Sequence, residues 1–108
     1  MEAISIAHKI VDLIDNLRQL SSELEPLVYD MANATGEYDK ALAVKIIELK
    51  AKGTATTICE KLARGECYKD LVKKELAIAL YKIKIKKIDC AQSSLNGYQS
   101  VNKHLDKL

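Results

Sequence analysis

Eleven apolar side chains, Ile6, Ile10, Leu13, Leu17, Leu20, Leu24, Leu27, Met31, Ala34, Tyr38 and Ala41, follow one another at alternating spacings of four and three residues. A strand would alternate every second residue. This repeat instead draws one stripe along a helix, and an apolar stripe of that length has to be covered by another helix. The pattern therefore predicts a long helix in coiled-coil-like packing, and it specifies a shape without specifying an activity.

The first helix is expected to run from near Glu2 to about Ala51. Pro26 is the obstacle, because its ring removes the hydrogen bond to residue 22 and biases Glu25 away from helical angles. The stripe nevertheless keeps its phase across it, from Leu24 to Leu27 to Met31, so a kinked but continuous helix is expected. Gly36 weakens the same segment by about 1 kcal/mol relative to Ala. Beyond Ala41 the stripe drifts to Leu42, Ile46 and Leu49, with Val44 and Ile47 widening the apolar face. Gly53, preceded by Lys50 and Lys52, reads as the residue that ends the helix. Thr57-Ile58-Cys59-Glu60 has the form of a capping box and Thr54 is a second candidate cap. A short helix from about Ala55 to Arg64 is expected, stopped by Gly65, with Ile58, Leu62 and Ala63 buried against the Val44–Leu49 face.

The last helix is expected from around Glu66 to His104 or beyond. Val72, Leu76, Leu80, Ile83, Ala91, Leu95, Tyr98, Val101, Leu105 and Leu108 mark its apolar face. The alternation Tyr81-Lys82-Ile83-Lys84-Ile85-Lys86 reads as a strand in isolation, but its helical flanks and the lack of a partner strand argue against that. A break near Gly97 would be tolerated. The fold class is then all-α, a single domain over residues 1–108. Its form is a long antiparallel helical hairpin, coiled-coil-like, with a short helix at the tip. A lone hairpin has a thin core, and Ile4, Ala7, Val11 and Ile14 add a second apolar face beside the main stripe. Either the arm folds back at Pro26 or two chains pair into a bundle. A homodimer is the favoured outcome, with Ile6, Ile10, Leu13, Ile14 and Leu17 as its interface.

Composition narrows the function classes. The chain has no Trp and no Phe, which suits interdigitated helices better than a sandwich or barrel. The N-terminus lacks the basic and apolar regions of a signal peptide, and no run approaches the roughly twenty apolar residues that span a bilayer. Cys59, Cys67 and Cys90 are odd in number and have no paired spacing, so they read as reduced thiols of a cytosolic protein. Only His8 and His104 are available for histidine chemistry. With Asp12 they make at most a partial metal site, and two exposed histidines near the chain ends is the simpler reading. The carboxylates Glu23 and Glu25 fall on a solvated acidic surface, and the four glycines form no phosphate loop. No catalytic, cofactor or metal site is expected. Between Thr54 and Glu75 the pattern of a helix-turn-helix is opposed by Lys61, which occupies the position where that motif needs a small residue.

Charge is unevenly distributed. Up to Glu48 nine acidic residues face four basic ones, and beyond it the balance reverses, most strongly between Lys69 and Lys87. Either an acidic helix lies against a basic one, which helps set pairing, or a basic face meets nucleic acid or an acidic protein. The residues of that face are Lys69, Lys73, Lys74, Lys82, Lys84, Lys86 and Lys87; they could neutralise phosphates, but no aromatic residues interleave them to stack bases apart from Tyr81.

The run Glu48-Leu49-Lys50-Ala51-Lys52-Gly53, followed by Thr57-Ile58 and Leu62-Ala63-Arg64-Gly65, resembles a pattern in small helical proteins of phages and prophages of Gram-positive bacteria. The layout is similar too, with Ala79 and Tyr81 in the second long helix. The resemblance covers roughly residues 38 to 95 and consists of helix ends and turns. It implies a phage-encoded accessory protein in the cytoplasm of an infected bacterium and transfers no catalytic residue. The functional expectation is a non-enzymatic interaction protein that binds a host or phage protein, for example inhibiting a host defence factor such as a CRISPR nuclease. The alternative is a nucleic-acid-binding accessory of phage replication or recombination. No membrane partner is expected.

Overall fold

A computed structural model describes residues 3–107. The expected helix start near Glu2 and the place of Leu108 on the last apolar face lie outside the described residues. Three helices, α1 (Ala3–Ala51), α2 (Thr56–Glu66) and α3 (Tyr68–Asp106), make up the chain, and no strand occurs among the described residues. The protein is all-α. Its order, long, short, long, is that of a helical hairpin with a short helix between the arms.

α1 is continuous through Pro26. Every member of the 4-3 stripe from Ile6 to Ala41 is buried or half-buried, so the packing demanded by the stripe outweighs the local cost of the proline. The helix ends where its last carbonyls find donors. Gly53 adopts φ +84°, its N–H bonds to the Lys50 carbonyl, and the Thr54 N–H bonds to the Leu49 carbonyl at 3.0 Å. This pair of bonds around a left-handed glycine is the Schellman arrangement.

The start of α2 departs from expectation. Ala55 is the N-cap residue, at φ −57° and ψ 132°, and no side chain caps the helix. Thr57 thus sits two residues past the N-cap, too far in to serve a capping box, and the Thr54 N–H closes the end of α1. Gly65 does not stop α2, which continues to Glu66 because glycine costs a helix interior only about 1 kcal/mol. A single residue, Cys67, separates α2 from α3, leaving no room for the three- to four-residue turn of a helix-turn-helix. Nor does Gly97 interrupt α3, and Tyr81–Lys86 is helical throughout.

By their contacts the helices fall into two compact units. One joins the chain up to Glu25 with the chain from Lys82 onward; the other is Pro26–Tyr81. In the first, Ile6 of α1 and Ala91 and Leu95 of α3 are buried, flanked by half-buried Ile10, Leu13, Leu17, Ile85 and Ile88. In the second, Tyr38, Cys59, Ala63 and Cys67 are buried. Here Tyr38 meets Lys74 while Lys45 meets Glu66; numbers rise along α1 as they fall along its neighbours, the order of opposed chain directions. The side of α2 that packs is Cys59 and Ala63, small residues one turn apart, as α2 runs into Cys67. Ile58 and Leu62 stay about half exposed, as do Val44 and, more so, Ile47. These four were expected to bury one another and do not.

α3 overturns a second expectation. Its covered residues include Leu71, Lys74, Ile78, Tyr81, Ile85 and Ile88, then Ala91, Leu95, Tyr98, Asn102 and Leu105. This too is a 4-3 repeat, with one additional three-residue step between Ile88 and Ala91, an irregularity that overwinds a coiled coil locally. Val72, Leu76, Leu80 and Ile83, expected in the core, are 45–60 % exposed. Spaced mostly four residues apart, they lie on the far side of the helix from the inner stripe.

The glycines provide a stability test. Gly53→Ala places a side chain at a left-handed angle and is expected to cost about 1–2 kcal/mol. Gly36→Ala and Gly97→Ala meet no atom within 4 Å and are expected to add about 0.5–1 kcal/mol each. Urea unfolding followed by circular dichroism checks both signs.

Candidate interaction surfaces

The seven lysines singled out from sequence do not form one surface. Lys84 is bonded through its Nζ to Glu23 Oε2, and its side chain is only 17 % exposed. Lys74 is half-buried with its Nζ 5.0 Å from the centre of the Tyr38 ring, so its stem packs while its charge rests on the aromatic face. These two hold helices together inside their own units. Lys69 and Lys73 are exposed in the second unit; Lys82, Lys86 and Lys87 are exposed in the first. None of these five forms an ion pair with a described residue.

Among the described residues the ion pairs between helices are Glu23 on Lys84 and Lys45 on Glu66, the latter at 3.2 Å. Lys45 also pairs with Glu48 at 3.1 Å. Hydrogen bonds to Glu48 and then Glu66 hold the Lys45 ammonium above its ordinary value. The hydrogen bond from Lys84, helped by one from Gln19, holds the Glu23 carboxyl below its ordinary 4.5. The acidic half of α1 is therefore mostly unsatisfied by the basic half of α3 within the chain. Asp12, Asp15, Glu25 and Asp30 are exposed and unpaired among the described residues.

The residues expected at a subunit interface lie inside the first unit. Ile6 is fully buried there, and Ile10, Leu13, Ile14 and Leu17 are half-buried; exposing Ile6 to a second chain would require opening the pair. What remains free on α1 is the neighbouring stripe, with Ile4 at 65 % and Val11 at 55 % exposure. On the other flank of the covered seam an open groove of about 730 Å³ runs between α1 and α3. Its lining combines apolar Leu13, Leu20, Ile83 and Ala91 with Lys82, Lys86 and Lys87. Cys90, an exposed free thiol, lies along it.

In the second unit the feature is the outer stripe of α3, Val72, Leu76 and Leu80, with Lys69 and Lys73 along one side. It was legible as an apolar stripe but assigned to the wrong face. The signal that distinguishes the two is the regular 4-3 spacing of Cys67, Leu71, Lys74, Ile78 and Tyr81, in which Lys74 disguises a covered position.

Cys59 and Cys67 are buried and, like Cys90, free; the Cys59 thiol donates to the Thr54 carbonyl at 3.6 Å. His8 and His104 are both exposed. Among the described residues no three His, Cys, Asp or Glu side chains gather to hold a metal ion, and no helix is long and apolar enough to cross a membrane. No family model, curated protein or solved structure matches the chain.

Because the folded carboxyl of Glu23 titrates below the unfolded one, its contribution to stability is present above the unfolded value and is lost as pH falls through the folded one. Wild-type unfolding free energy should decline as pH falls below the ordinary carboxyl value of 4.5. Glu23→Gln should make that decline shallower while leaving the neutral-pH fold intact, as read by urea unfolding across pH.

Proposed function

We propose that this chain is a non-enzymatic interaction protein that binds a protein partner through the outer face of α3. The observation that carries the reading is Val72, Leu76 and Leu80 at 60, 58 and 45 % exposure, opposite a stripe that is already covered. A helix with apolar stripes on both sides has one more face than its own chain uses. The occupant that fits is an amphipathic helix whose apolar stripe is flanked by carboxylates facing Lys69 and Lys73. With the resemblance to small phage proteins, the setting we propose is the cytoplasm of an infected bacterium. There the partner is a host or phage protein, a defence nuclease such as a CRISPR nuclease being one such target.

The alternative, a nucleic-acid accessory, is supported by five unpaired lysines but weakened by the loss of Lys74 and Lys84 to internal contacts. Exposed Tyr68 beside Lys69 and half-buried Tyr81 beside Lys82 are the aromatics nearest the remaining five. Two measurements separate the readings. Fluorescence anisotropy against short single- and double-stranded DNA and RNA is expected to show no binding that weakens steeply with salt; micromolar, salt-steep binding would transfer the function to the lysines. Leu76→Asp with Leu80→Asp, on an exposed face, is expected to leave helicity unchanged and to abolish binding to a purified partner recovered with the wild-type chain. Undiminished binding by that variant would remove the α3 face from the function.

A further inference from the structure

The groove of the first unit is left open by the chain itself, and its chemistry is graded from one end to the other. Glu23, near the end of the α1 part of this unit, meets Lys84, near the start of its α3 part, so the two helices run in opposite directions here. Leu20 therefore lies at about the level of Lys87, and Leu13 at about that of Ser94. Apolar side chains follow the groove throughout, from Ile83 past Leu20 to Ala91 and Leu13. Charge does not. Lys82, Lys86 and Lys87 fall within about 7.5 Å along the helix axis, and beyond them the α3 side is lined by uncharged Cys90, Ala91 and Ser94. Among the described residues no carboxylate lines the groove, and none of its three lysines forms an ion pair.

That gradient selects the occupant. An amphipathic helix carries its charges along the flanks of an apolar stripe, and it would lay carboxylates against the uncharged half of the groove as well as the charged half. A chain that is apolar along its length and anionic at one end has the gradient of the groove itself. The size agrees: Lys82 to Ser94 spans about 18 Å along α3, and the volume of about 730 Å³ falls within the roughly 300–1,000 Å³ of small-ligand sites. We propose that this groove binds a free long-chain carboxylate, its headgroup held by Lys82 and Lys86 and its alkyl chain laid along Ile83, Leu20 and Ala91 toward Leu13 and Cys90. Lys87 adds to the positive field at the headgroup end while also acting on Glu23. The site belongs to the first unit alone and is separate from the outer α3 face of residues 72–80, so it stands whether or not that face binds a protein.

Three probes separate head from tail. Isothermal titration of the full chain with dodecanoate, below its micellar concentration, should give saturable one-to-one binding. Dodecyltrimethylammonium, the same chain with a cationic head, should bind at least about tenfold more weakly, because two lysines repel the head they would otherwise attract. Decanoate, two methylenes shorter, should bind about fourfold more weakly than dodecanoate, since a fully buried methylene contributes about fourfold and this groove is open on one side. Lys82→Glu with Lys86→Glu, at exposed positions, should keep its helicity and reverse the preference in favour of dodecyltrimethylammonium. On the unaltered chain, saturating dodecanoate should slow alkylation of exposed Cys90 by iodoacetamide several-fold, read by peptide mass spectrometry. The titrations and the Cys90 rate need no variant, so they decide the matter however the substituted chain folds. Absence of saturable dodecanoate binding, equal affinity for the two heads, a folded variant with the wild-type preference, or an unprotected Cys90 would overturn the proposal. So would protection of Cys90 by an acidic amphipathic peptide and not by dodecanoate, which would make the groove a helix-docking site.

Discussion

The phase of the α1 stripe across Pro26 is the constraint on which the rest of this protein depends. A proline inside a helix removes one hydrogen bond and crowds the preceding turn, at a cost of about 3 kcal/mol. A chain that broke there would be free to restart its helix with any rotation, and the apolar positions on the two sides would no longer share a face. Instead Leu24, Leu27 and Met31 remain in register and half-buried. The first helix can therefore offer one uninterrupted stripe from Ile6 to Ala41, and α3 answers with its own 4-3 repeat from Leu71 to Ile88. The boundary between the two compact units also falls at Glu25 and Pro26 on one helix and at Tyr81 and Lys82 on the other.

Given that stripe, the remaining sequence choices follow from how little each helix buries. A two-helix contact covers one side of each helix, so only seven described residues are fully covered, and Ile6 and Cys59 are the largest with almost no exposure. Small side chains let α2 join this thin core: Cys59 and Ala63, one turn apart, sit inward while Ile58 and Leu62 stay out. Two lysines join the covered region through specific contacts. Lys74 spreads over Tyr38, and Lys84 reaches Glu23, whose carboxylate is held ionised by that bond.

Where the sequence was legible, the local signal and the packing agreed. The extent of α1, the glycine that ends it and the helicity of Tyr81–Lys86 all rest on periodicity or on a left-handed residue, and both survive in a long helix. The reading of α3 failed for a physical reason. Two apolar stripes lie on opposite sides of it, and hydrophobicity alone favoured Val72, Leu76, Leu80 and Ile83 over a stripe containing Lys74 and Tyr81. Long amphipathic side chains hide covered positions in this way, because stem and head answer to different solvents. The capping box at Thr57 failed differently: the start of α2 is set by the Schellman closure at Gly53 and Thr54, which leaves Ala55 to enter the helix first. At the surfaces, the lysines could be named from sequence but not divided. Which of them are held by Glu23 or Tyr38 depends on the register between helices.

That division changes what the charge asymmetry means. If the acidic half of α1 existed to hold the basic half of α3, most of the carboxylates would have lysine partners inside the chain. Among the described residues only Glu23 does so on the α3 side, and the pairs at Lys45 and Arg64 are local to the other end of α1 and to α2. Exposed single charges contribute little to stability, so a segregated surplus is not a folding device. Its effect is on encounter: opposite fields on two faces of one molecule favour association with a complementary surface and disfavour register errors. Where each charged set borders an apolar strip that the chain itself leaves uncovered, the same residues that would steer an approaching helix also fix how it lies once it arrives.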